Sequence, residues 1–313
     1  MTRHSPVPAP ADHLSLEEIK KANFQAIGLM VFAMSAFALA DSLIRLSSLE
    51  EIGRASAGQL LALQGTIGAF LYALLMRKRR EHLSFELASN RYVLLRTASD
   101  IFAACCIVTA LTLISVNEVS AILQVQPLVV TLGAVLFLGE KVRFFRWSAI
   151  IIGFIGVMII MRPSPSSFEN SSIIVLLGVI GLASRDLTTR QLPKQFSTIA
   201  VITFVSLAII PAGILLHYFT ADTSLFEIGN RALFLACLSS LVALIGYYAL
   251  THAMRIGEIS VVAPYRYARL ISAFFFAWLL LNEQPDLATI LGSLIIVTAG
   301  IVVIYRENRL NSK

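Results

Sequence analysis

Two arginines lie in an apolar stretch towards the end of the chain, where charged side chains are costly. The stretch reads Ala263-Pro-Tyr-Arg-Tyr-Ala-Arg-Leu270, so Arg266 and Arg269 are spaced i,i+3. In a helix this spacing places both guanidinium groups on one face. Because an arginine at the centre of a membrane helix costs roughly 2.5–3.5 kcal/mol on insertion scales, two on one face indicate a wet cavity or an anionic partner.

A guanidinium group binds a carboxylate or phosphate through two parallel hydrogen bonds. We therefore predict that Arg266 and Arg269 bind an anionic substrate group, with Tyr265 beside them. Pro264 removes one backbone hydrogen bond and can expose carbonyl groups to the same cavity. The structural alternative is that both arginines pair with carboxylates of neighbouring helices and only hold the helices together.

An amide in another apolar stretch extends this predicted substrate site. Gln124 stands three residues before Pro127, so the two share a helix face. Polar amides at membrane depth usually form hydrogen bonds between helices. We predict that Gln124 lines the cavity opposite Arg269.

Acid–base pairs spaced i,i+4 are candidates for gating or coupling. Asp41 and Arg45 form one such pair, and Asp186 and Arg190 form the second. Placed at opposite membrane faces, the two pairs would suit gates that open alternately. The structural alternative is a local salt bridge at each helix end, which contributes little where it is exposed.

A third acid has the same two interpretations. Asp100 follows Arg96 by four residues. Either the two side chains form a structural pair, or Asp100 is an acid that faces the cavity. An acid within the membrane can carry a coupling proton, and Asp41, Asp100 and Asp186 are the candidates.

These side chains must be positioned by helices within a membrane. The chain has 313 residues, of which 57% are hydrophobic and 14% charged, with a mean hydropathy of +0.78. Soluble domains carry about 45–50% apolar and about 25% charged residues. The composition therefore excludes a soluble enzyme and a disordered chain, and the net charge of +6 is spread over short clusters that do not suggest a nucleic-acid partner.

The apolar runs define the architecture. A membrane helix needs about 20 mostly apolar residues. Ten runs meet this length, and they predict an all-α integral membrane protein with ten transmembrane helices: 24–44, 57–76, 92–114, 119–138, 145–161, 172–190, 197–219, 231–253, 259–281 and 286–305.

The distribution of lysine and arginine predicts the orientation of these helices. With the N-terminus inside, the inner segments carry 18 of these residues and the outer segments carry 4. Cytoplasmic loops are enriched in lysine and arginine. We therefore expect a multi-pass protein of the cell inner (cytoplasmic) membrane with both termini cytoplasmic, the tails being residues 1–23 and 306–313.

The two halves of the chain resemble each other. Leu138-Gly-Glu-Lys141 closes the fourth predicted span and Leu281-Asn-Glu-Gln284 closes the ninth. Each half has an odd number of spans, so the second half enters the membrane inverted, an arrangement typical of secondary transporters. The predicted repeats are residues 24–161 and 172–305.

The motifs resemble those of the drug/metabolite transporter superfamily, EamA type. They are Pro127 with Leu138-Gly-Glu140, Glu258-Ile-Ser-Val-Val-Ala-Pro264, Asn282-Glu283 and the glycine-containing stretches of spans five and ten. The resemblance implies two EamA-like five-helix repeats, a central cavity and alternating access. It does not imply a substrate or a direction of transport.

No catalytic motif accompanies the membrane spans. The sequence contains neither His-Glu-x-x-His nor Gly-x-Ser-x-Gly, and no Gly-x-x-x-x-Gly-Lys-Ser/Thr for nucleotide phosphates. We therefore expect no catalytic residue, no metal site and no cofactor, and the chain is not predicted to be an enzyme.

The resulting prediction is a secondary transporter that moves a small organic, anionic metabolite across the cytoplasmic membrane by alternating access. The alternative is an exporter of cationic or amphipathic compounds, against which the two arginines count. The expected partners are the substrate and the lipid bilayer. Small-residue spacings such as Gly65/Gly68 and Gly153/Gly156 permit close helix packing, either within one chain or in a homodimer.

Overall fold

The computed structural model describes residues 16–138, 144–161, 170–189, 191–193, 195–256 and 262–311. Regular structure within these ranges is helical throughout. The helices are α1 Leu16–Ser48, α2 Ala57–Arg79, α3 Phe85–Ser89, α4 Arg91–Leu113, α5 Val116–Leu123, α6 Gln126–Leu138, α7 Phe144–Met161, α8 Asn170–Thr189, α9 Thr198–Thr220, α10 Asn230–Ile256, the 3-10 helix Ala263–Tyr267, α11 Ala268–Leu281 and α12 Leu287–Asn311.

Seven helical segments among the described residues are long and apolar enough to cross a membrane, by length and composition, when α5 and α6 are counted together as one segment. Two shorter apolar helices, Ile150–Met161 and Leu287–Val302, come from the fifth and tenth predicted spans. The chain is thus an all-helical protein with several membrane-spanning candidates. The count of ten spans and their division into two inverted repeats remain predictions.

The fourth predicted span is broken in the structure. Helix α5 ends at Leu123 and α6 begins at Gln126, with Pro127 as the second residue of α6. Proline has no N–H to donate to the preceding turn. At the break, the N–H groups of Gln124 and Val125 bond three residues back, to Ala121 O at 3.2 Å and Ile122 O at 3.1 Å.

The ninth predicted span also begins irregularly. Pro264 lies in the first turn of the 3-10 helix, which passes directly into α11. Arg266 therefore belongs to the 3-10 helix and Arg269 to the first turn of α11. A 3-10 helix has about 3.0 residues per turn, so side chains three residues apart within it lie directly above one another.

The two predicted tails are partly helical. Helix α1 already begins at Leu16, within the expected N-terminal tail of residues 1–23. Helix α12 continues to Asn311, within the expected C-terminal tail of residues 306–313.

Helices from the two ends of the chain pack against each other. The most extensive contacts join α1 to α10, α2 to α9, α4 to α8 and α7 to α12. Further contacts join α1 to α11 and α6 to α8. The α5 side chains Val116, Val119 and Ile122 are fully buried at the centre of the largest apolar core.

Glycine allows the closest of these contacts. A methyl group on Gly292 of α12 would lie 2.6 Å from the carbonyl oxygen of Gly156 on α7. A methyl group on Gly213 of α9 would lie 2.5 Å from the backbone nitrogen of Ala62 on α2. Small residues permit such backbone approach between membrane helices.

The glycine spacings named above are occupied within the chain. Gly65 and Gly68 lie against Ser206 of α9, and Gly153 lies against Leu128 of α6. These contacts account for the spacings without a second copy, and the homodimer stays a prediction.

Candidate functional site

Arg269 is paired with an acid from the other end of the sequence. Its Nη2 donates a hydrogen bond of 2.6 Å to Oδ2 of Asp41, which lies on α1. The ring of Phe37, one turn earlier on α1, lies 5.7 Å from the Arg269 guanidinium carbon. A second contact joins the same two helices, where the hydroxyls of Ser35 and Ser272 are 2.8 Å apart.

Arg266 has a different environment from Arg269. Within the residues that the structure describes, its guanidinium group makes no hydrogen bond and no ion pair, although the side chain is only partly exposed. Its charged neighbours are Asp186, Arg185 and Arg269. The predicted pair of arginine ligands is therefore separated: Arg269 has an internal carboxylate partner and Arg266 has none among the described residues.

An ion-pair network on α4 and α8 lies beside Arg266. Arg185 is 2.8 Å from Oδ1 of Asp186 and 3.3 Å from Oδ1 of Asp100. Asp100 is also 3.6 Å from Arg96, the partner predicted from the i,i+4 spacing. Arg96 in turn donates through Nε to the Thr189 hydroxyl at 3.1 Å.

The amide in this network is Gln126. Its Nε2 donates to Oδ2 of Asp186 at 2.8 Å, which ties α6 to α8. Gln124, the predicted ligand, is buried, and its Nε2 donates to the Ser120 carbonyl of its own helix at 3.1 Å. The break before Pro127 therefore places Gln126 on the charged network and directs the Gln124 amide back to α5.

The i,i+4 spacing of Asp41 and Arg45 does not produce a local pair. Asp41 bonds Arg269, whereas Nε of Arg45 lies 3.6 Å from Oε1 of Glu283, in the connection between α11 and α12. Arg45 Nη1 also donates to the Thr112 carbonyl at 2.7 Å. The local-pair interpretation of this spacing was therefore wrong.

Glu283 completes a three-way contact at this end of the bundle. Its Oε2 accepts a hydrogen bond of 3.0 Å from the Val116 N–H at the start of α5. Burial raises the pKa of the Glu283 carboxyl above its ordinary value, while this hydrogen bond and Arg45 oppose the rise. The contact joins the end of α1, the α4–α5 connection and the end of α11.

The remaining predicted residues have less defined surroundings. Tyr265 lies in the 3-10 helix with 40% of its surface exposed, next in sequence to Arg266. Pro264 contributes the start of that helix. Arg190 lies outside the described residues, so its predicted pairing with Asp186 stays a prediction.

Tyr247 is a member of the site that the sequence analysis did not identify. It lies on α10, with Arg96, Arg185, Asp100 and Asp186 as charged neighbours. Tyr72 of α2 is close enough to Tyr247 for the two phenol groups to interact electrostatically. The only signal that could have indicated Tyr247 is a set of tyrosines facing the acids of α4 and α8. Which tyrosines face those acids depends on how the helices pack.

The described part of the chain contains no cluster of metal ligands. No three His, Cys, Asp or Glu side chains there converge in a way that would hold an ion. The arrangement is instead one of ion pairs, amides and a tyrosine, which bind polar and charged groups by hydrogen bonding.

Comparison with known proteins assigns the family. The model of the EamA-like transporter family matches the chain twice, over residues 19–162 and 171–306. The chain belongs to the EamA-like transporter family. The charged cluster described above therefore lies in the interior of a member of this family.

Characterised EamA-like relatives carry different substrates. The S-adenosylmethionine uptake transporter of Rickettsia bellii is 30% identical over 189 residues, which are 60% of this chain and 63% of that relative. The pseudopaline exporter of Pseudomonas aeruginosa is 28% identical over 88% of this chain and 94% of its own length. The riboflavin transporter of Vibrio cholerae is 28% identical over 60% of this chain and 62% of its own length.

A solved structure agrees with the fold. A crystal structure with 17% sequence identity superposes with a TM-score of 0.61 over 93% of this chain and 99% of its own. The agreement concerns the fold alone.

Proposed function

We propose that this EamA-like transporter carries a small organic metabolite whose anionic group binds Arg266. The observation that carries the proposal is the difference between Arg266 and the other arginines of the bundle interior. Arg45, Arg96, Arg185 and Arg269 each lie within 4.0 Å of a carboxylate oxygen, and Arg266 does not among the described residues.

The charge balance of the cluster supports an anionic ligand. Arg96, Arg185 and Arg266 provide three positive charges, and Asp100 and Asp186 provide two negative charges. The pairs Asp41–Arg269 and Arg45–Glu283 are neutral. One positive charge is therefore in excess among these described residues, and a single carboxylate or phosphate would neutralise it.

The surroundings of Arg266 suit binding and release. The side chain is partly exposed, so a ligand can reach it, and low-dielectric surroundings strengthen a charge-assisted hydrogen bond. Gln126 and Tyr247 border the same network and supply neutral hydrogen-bonding groups. Tyr265 provides a partly exposed ring next to Arg266.

Alternating access by two inverted repeats is the transport mechanism that we propose. The helix contacts support it, because they are preserved when each helix is exchanged for its equivalent in the other half. The contact of α1 with α10 becomes that of α8 with α4, and the contact of α1 with α11 becomes that of α8 with α6. The double match of one family model to the chain gives the same support.

The Arg45–Glu283 contact is the gate that we propose for one end of the cavity. It ties α1 to the end of α11, so an opening between these helices at that end must break it. Both side chains are about one-fifth exposed, at 20% each, so water can solvate the charges when the pair separates. We further propose that the protein lies in the cell inner membrane. The end of the cavity at Arg45 and Glu283 then faces away from the cytoplasm.

A ligand panel with matched variants tests the substrate class. Thermal unfolding of the purified protein would be measured with S-adenosylmethionine, which carries a carboxylate, and with riboflavin, which carries none. A ligand at about 100 Kd adds about 2.7 kcal/mol to the unfolding free energy. We expect stabilisation by carboxylate-bearing ligands, loss of that stabilisation in Arg266→Gln, and partial retention in Arg266→Lys.

The control variant is Arg54→Gln. Arg54 is exposed and pairs with Glu50 at a helix end, so its loss removes one charge without touching the interior. Ligand stabilisation unchanged in Arg266→Gln, or seen only with cationic compounds that lack a carboxylate, would contradict the proposal. The second of these results would favour export of cationic or amphipathic compounds.

A further inference from the structure

The connection between α2 and α4 combines exposed positive charge with exposed apolar side chains. Residues 77–92, the basic connection, begin with Arg77, Lys78, Arg79 and Arg80, all of them exposed. Further along, Leu83 has 42% and Phe85 has 87% of its surface exposed. In a membrane protein this combination is typical of the lipid headgroup level, where cations meet phosphates and apolar groups meet acyl chains.

The four basic residues that open the basic connection have no charged partner among the described residues. Within the described part of the chain, the four basic side chains that follow Met76 form no ion pair and no side-chain hydrogen bond. The two acids of the connection bond neutral groups instead. The Ser197 hydroxyl donates to Glu81, and Gln195 Nε2 donates to Glu86 at 2.7 Å.

Favourable interactions with helix dipoles explain only some of the basic residues in this connection. Basic residues in the last turn of a helix interact favourably with its dipole, by about 0.3–1 kcal/mol each. Arg91, however, is the first residue of α4, where the dipole disfavours a positive charge. Its guanidinium carbon lies 4.7 Å from the centre of the Tyr92 ring, and its Nη2 donates to the Tyr92 hydroxyl at 2.9 Å. The exposed cation is thus held in place at the helix start.

We infer that the basic connection is a binding site for an anionic phospholipid. The headgroup phosphate contacts the exposed basic side chains, and Leu83 and Phe85 enter the acyl region of the same leaflet. The connection carries five basic and two acidic residues, so it retains a net charge of +3. The inference does not rest on the substrate proposed for Arg266.

A lipid bound here would also stabilise the protein. The basic connection lies against the start of α9, where Leu87 and Val93 pack on Ala200 and Val201. Together with the bonds from Ser197 and Gln195, this contact joins helices from the two halves of the chain. A ligand that holds the connection in place therefore strengthens a contact between them.

Native mass spectrometry of the full-length protein in detergent tests the site. The lipids would be phosphatidylglycerol, which is anionic, and phosphatidylcholine, which is zwitterionic. We expect preferential retention of phosphatidylglycerol by the wild type. Because each basic residue near the surface contributes about 1 kcal/mol, the double variant Arg79→Gln/Arg91→Gln should bind about thirtyfold more weakly.

Two further double variants act as controls. Arg79→Lys/Arg91→Lys keeps both charges and should keep most of the binding. Arg54→Gln/Arg231→Gln removes two exposed arginines near the contact of Gly53 with Gly229, at the other end of the bundle, and should bind as the wild type does. If the first variant does not fold, Arg77→Gln/Lys78→Gln removes two charges of the same site.

Equal retention of the two lipids by the wild type would overturn the inference. The inference would also be overturned if the Arg54→Gln/Arg231→Gln control lost as much phosphatidylglycerol binding as Arg79→Gln/Arg91→Gln does. That result would show that binding responds to net charge alone. Neither result depends on Arg266 or on any substrate, so failure here is distinguishable from failure of the proposed function.

Discussion

Asp41 and Arg269 are 228 positions apart in the sequence, yet their side chains meet at 2.6 Å inside the bundle. The Asp41 and Arg269 side chains are 11% and 21% exposed, and Nε of Arg269 is buried without a hydrogen-bond partner among the described residues. The pair joins the first helix of the chain to the penultimate one. The pair therefore fixes a contact between two helices that no short connection links.

Replacement of one member of this pair should lower the unfolding free energy more than replacement of both. A buried charge left without its partner typically costs about 3–5 kcal/mol, whereas replacement of both by apolar side chains is often neutral. We expect Asp41→Leu and Arg269→Met each to lower the unfolding temperature strongly, and the double variant to recover much of the loss. A double-mutant cycle measures the coupling, and simple additivity of the two single effects would contradict the pairing.

Gln126 and Gln124 should differ in what their loss affects. Gln126 bonds Asp186 within the charged network, so Gln126→Ala should reduce substrate-dependent stabilisation and transport. Gln124 bonds the carbonyl of Ser120 in its own helix, so Gln124→Ala should act on stability alone. Parallel transport and unfolding measurements on the two variants make the comparison, and equal transport defects in both would contradict it.

Glu283 should tolerate glutamine better than alanine. Burial raises the pKa of the Glu283 carboxyl, so the folded protein binds this proton more tightly than the unfolded chain does. The resulting stability is present at acidic pH and is lost as the pH rises through the raised pKa. Glu283→Gln has no proton to lose and can still accept a hydrogen bond from the Val116 N–H, whereas Glu283→Ala leaves that N–H without an acceptor.

Unfolding temperatures between about pH 4 and about pH 8 would measure this difference. The Glu283→Gln protein should gain on the wild type as the pH rises, and Glu283→Ala should unfold at a lower temperature than Glu283→Gln throughout. A pH dependence identical in the wild type and Glu283→Gln would show that Glu283 is not the group that titrates.

The approach of α7 to α12 should not accept a methyl group. A methyl group on Gly292 would lie 2.6 Å from the carbonyl oxygen of Gly156 and 2.5 Å from a side-chain carbon of Ile160. Gly292→Ala should therefore lower the yield of folded protein and its unfolding temperature. Gly28→Ala is the matched control, because no atom lies within 4 Å of the added methyl group. Alanine is also more stable than glycine in a helix interior, by about 0.5–1 kcal/mol. Equal behaviour of the two variants in a detergent unfolding assay would contradict this packing.

The amino-acid sequence by itself determined the class of the protein, an all-helical membrane protein. Apolar runs of about 20 residues in a chain with 14% charged residues predict membrane helices. A bilayer offers backbone N–H and C=O groups no water, and a helix satisfies these groups within its own segment. The same reasoning predicted that Arg266 and Arg269 lie within the membrane, and it identified Pro264 as a point of irregularity. These are local properties, and the periodicity and composition of one segment suffice to predict them.

Only the tertiary structure decided which charged side chains meet. The spacing of Asp41 and Arg45 suggested a pair, but helix packing directs Asp41 to Arg269 and Arg45 to Glu283. Likewise, the i,i+3 spacing of Arg266 and Arg269 predicted that they share one face, and among the described residues only Arg269 of the two forms an ion pair. The periodicity of a helix determines which residues share a face. The rotation of each helix about its axis and the neighbour it packs against determine what that face contacts, and both depend on contacts between residues far apart in the sequence.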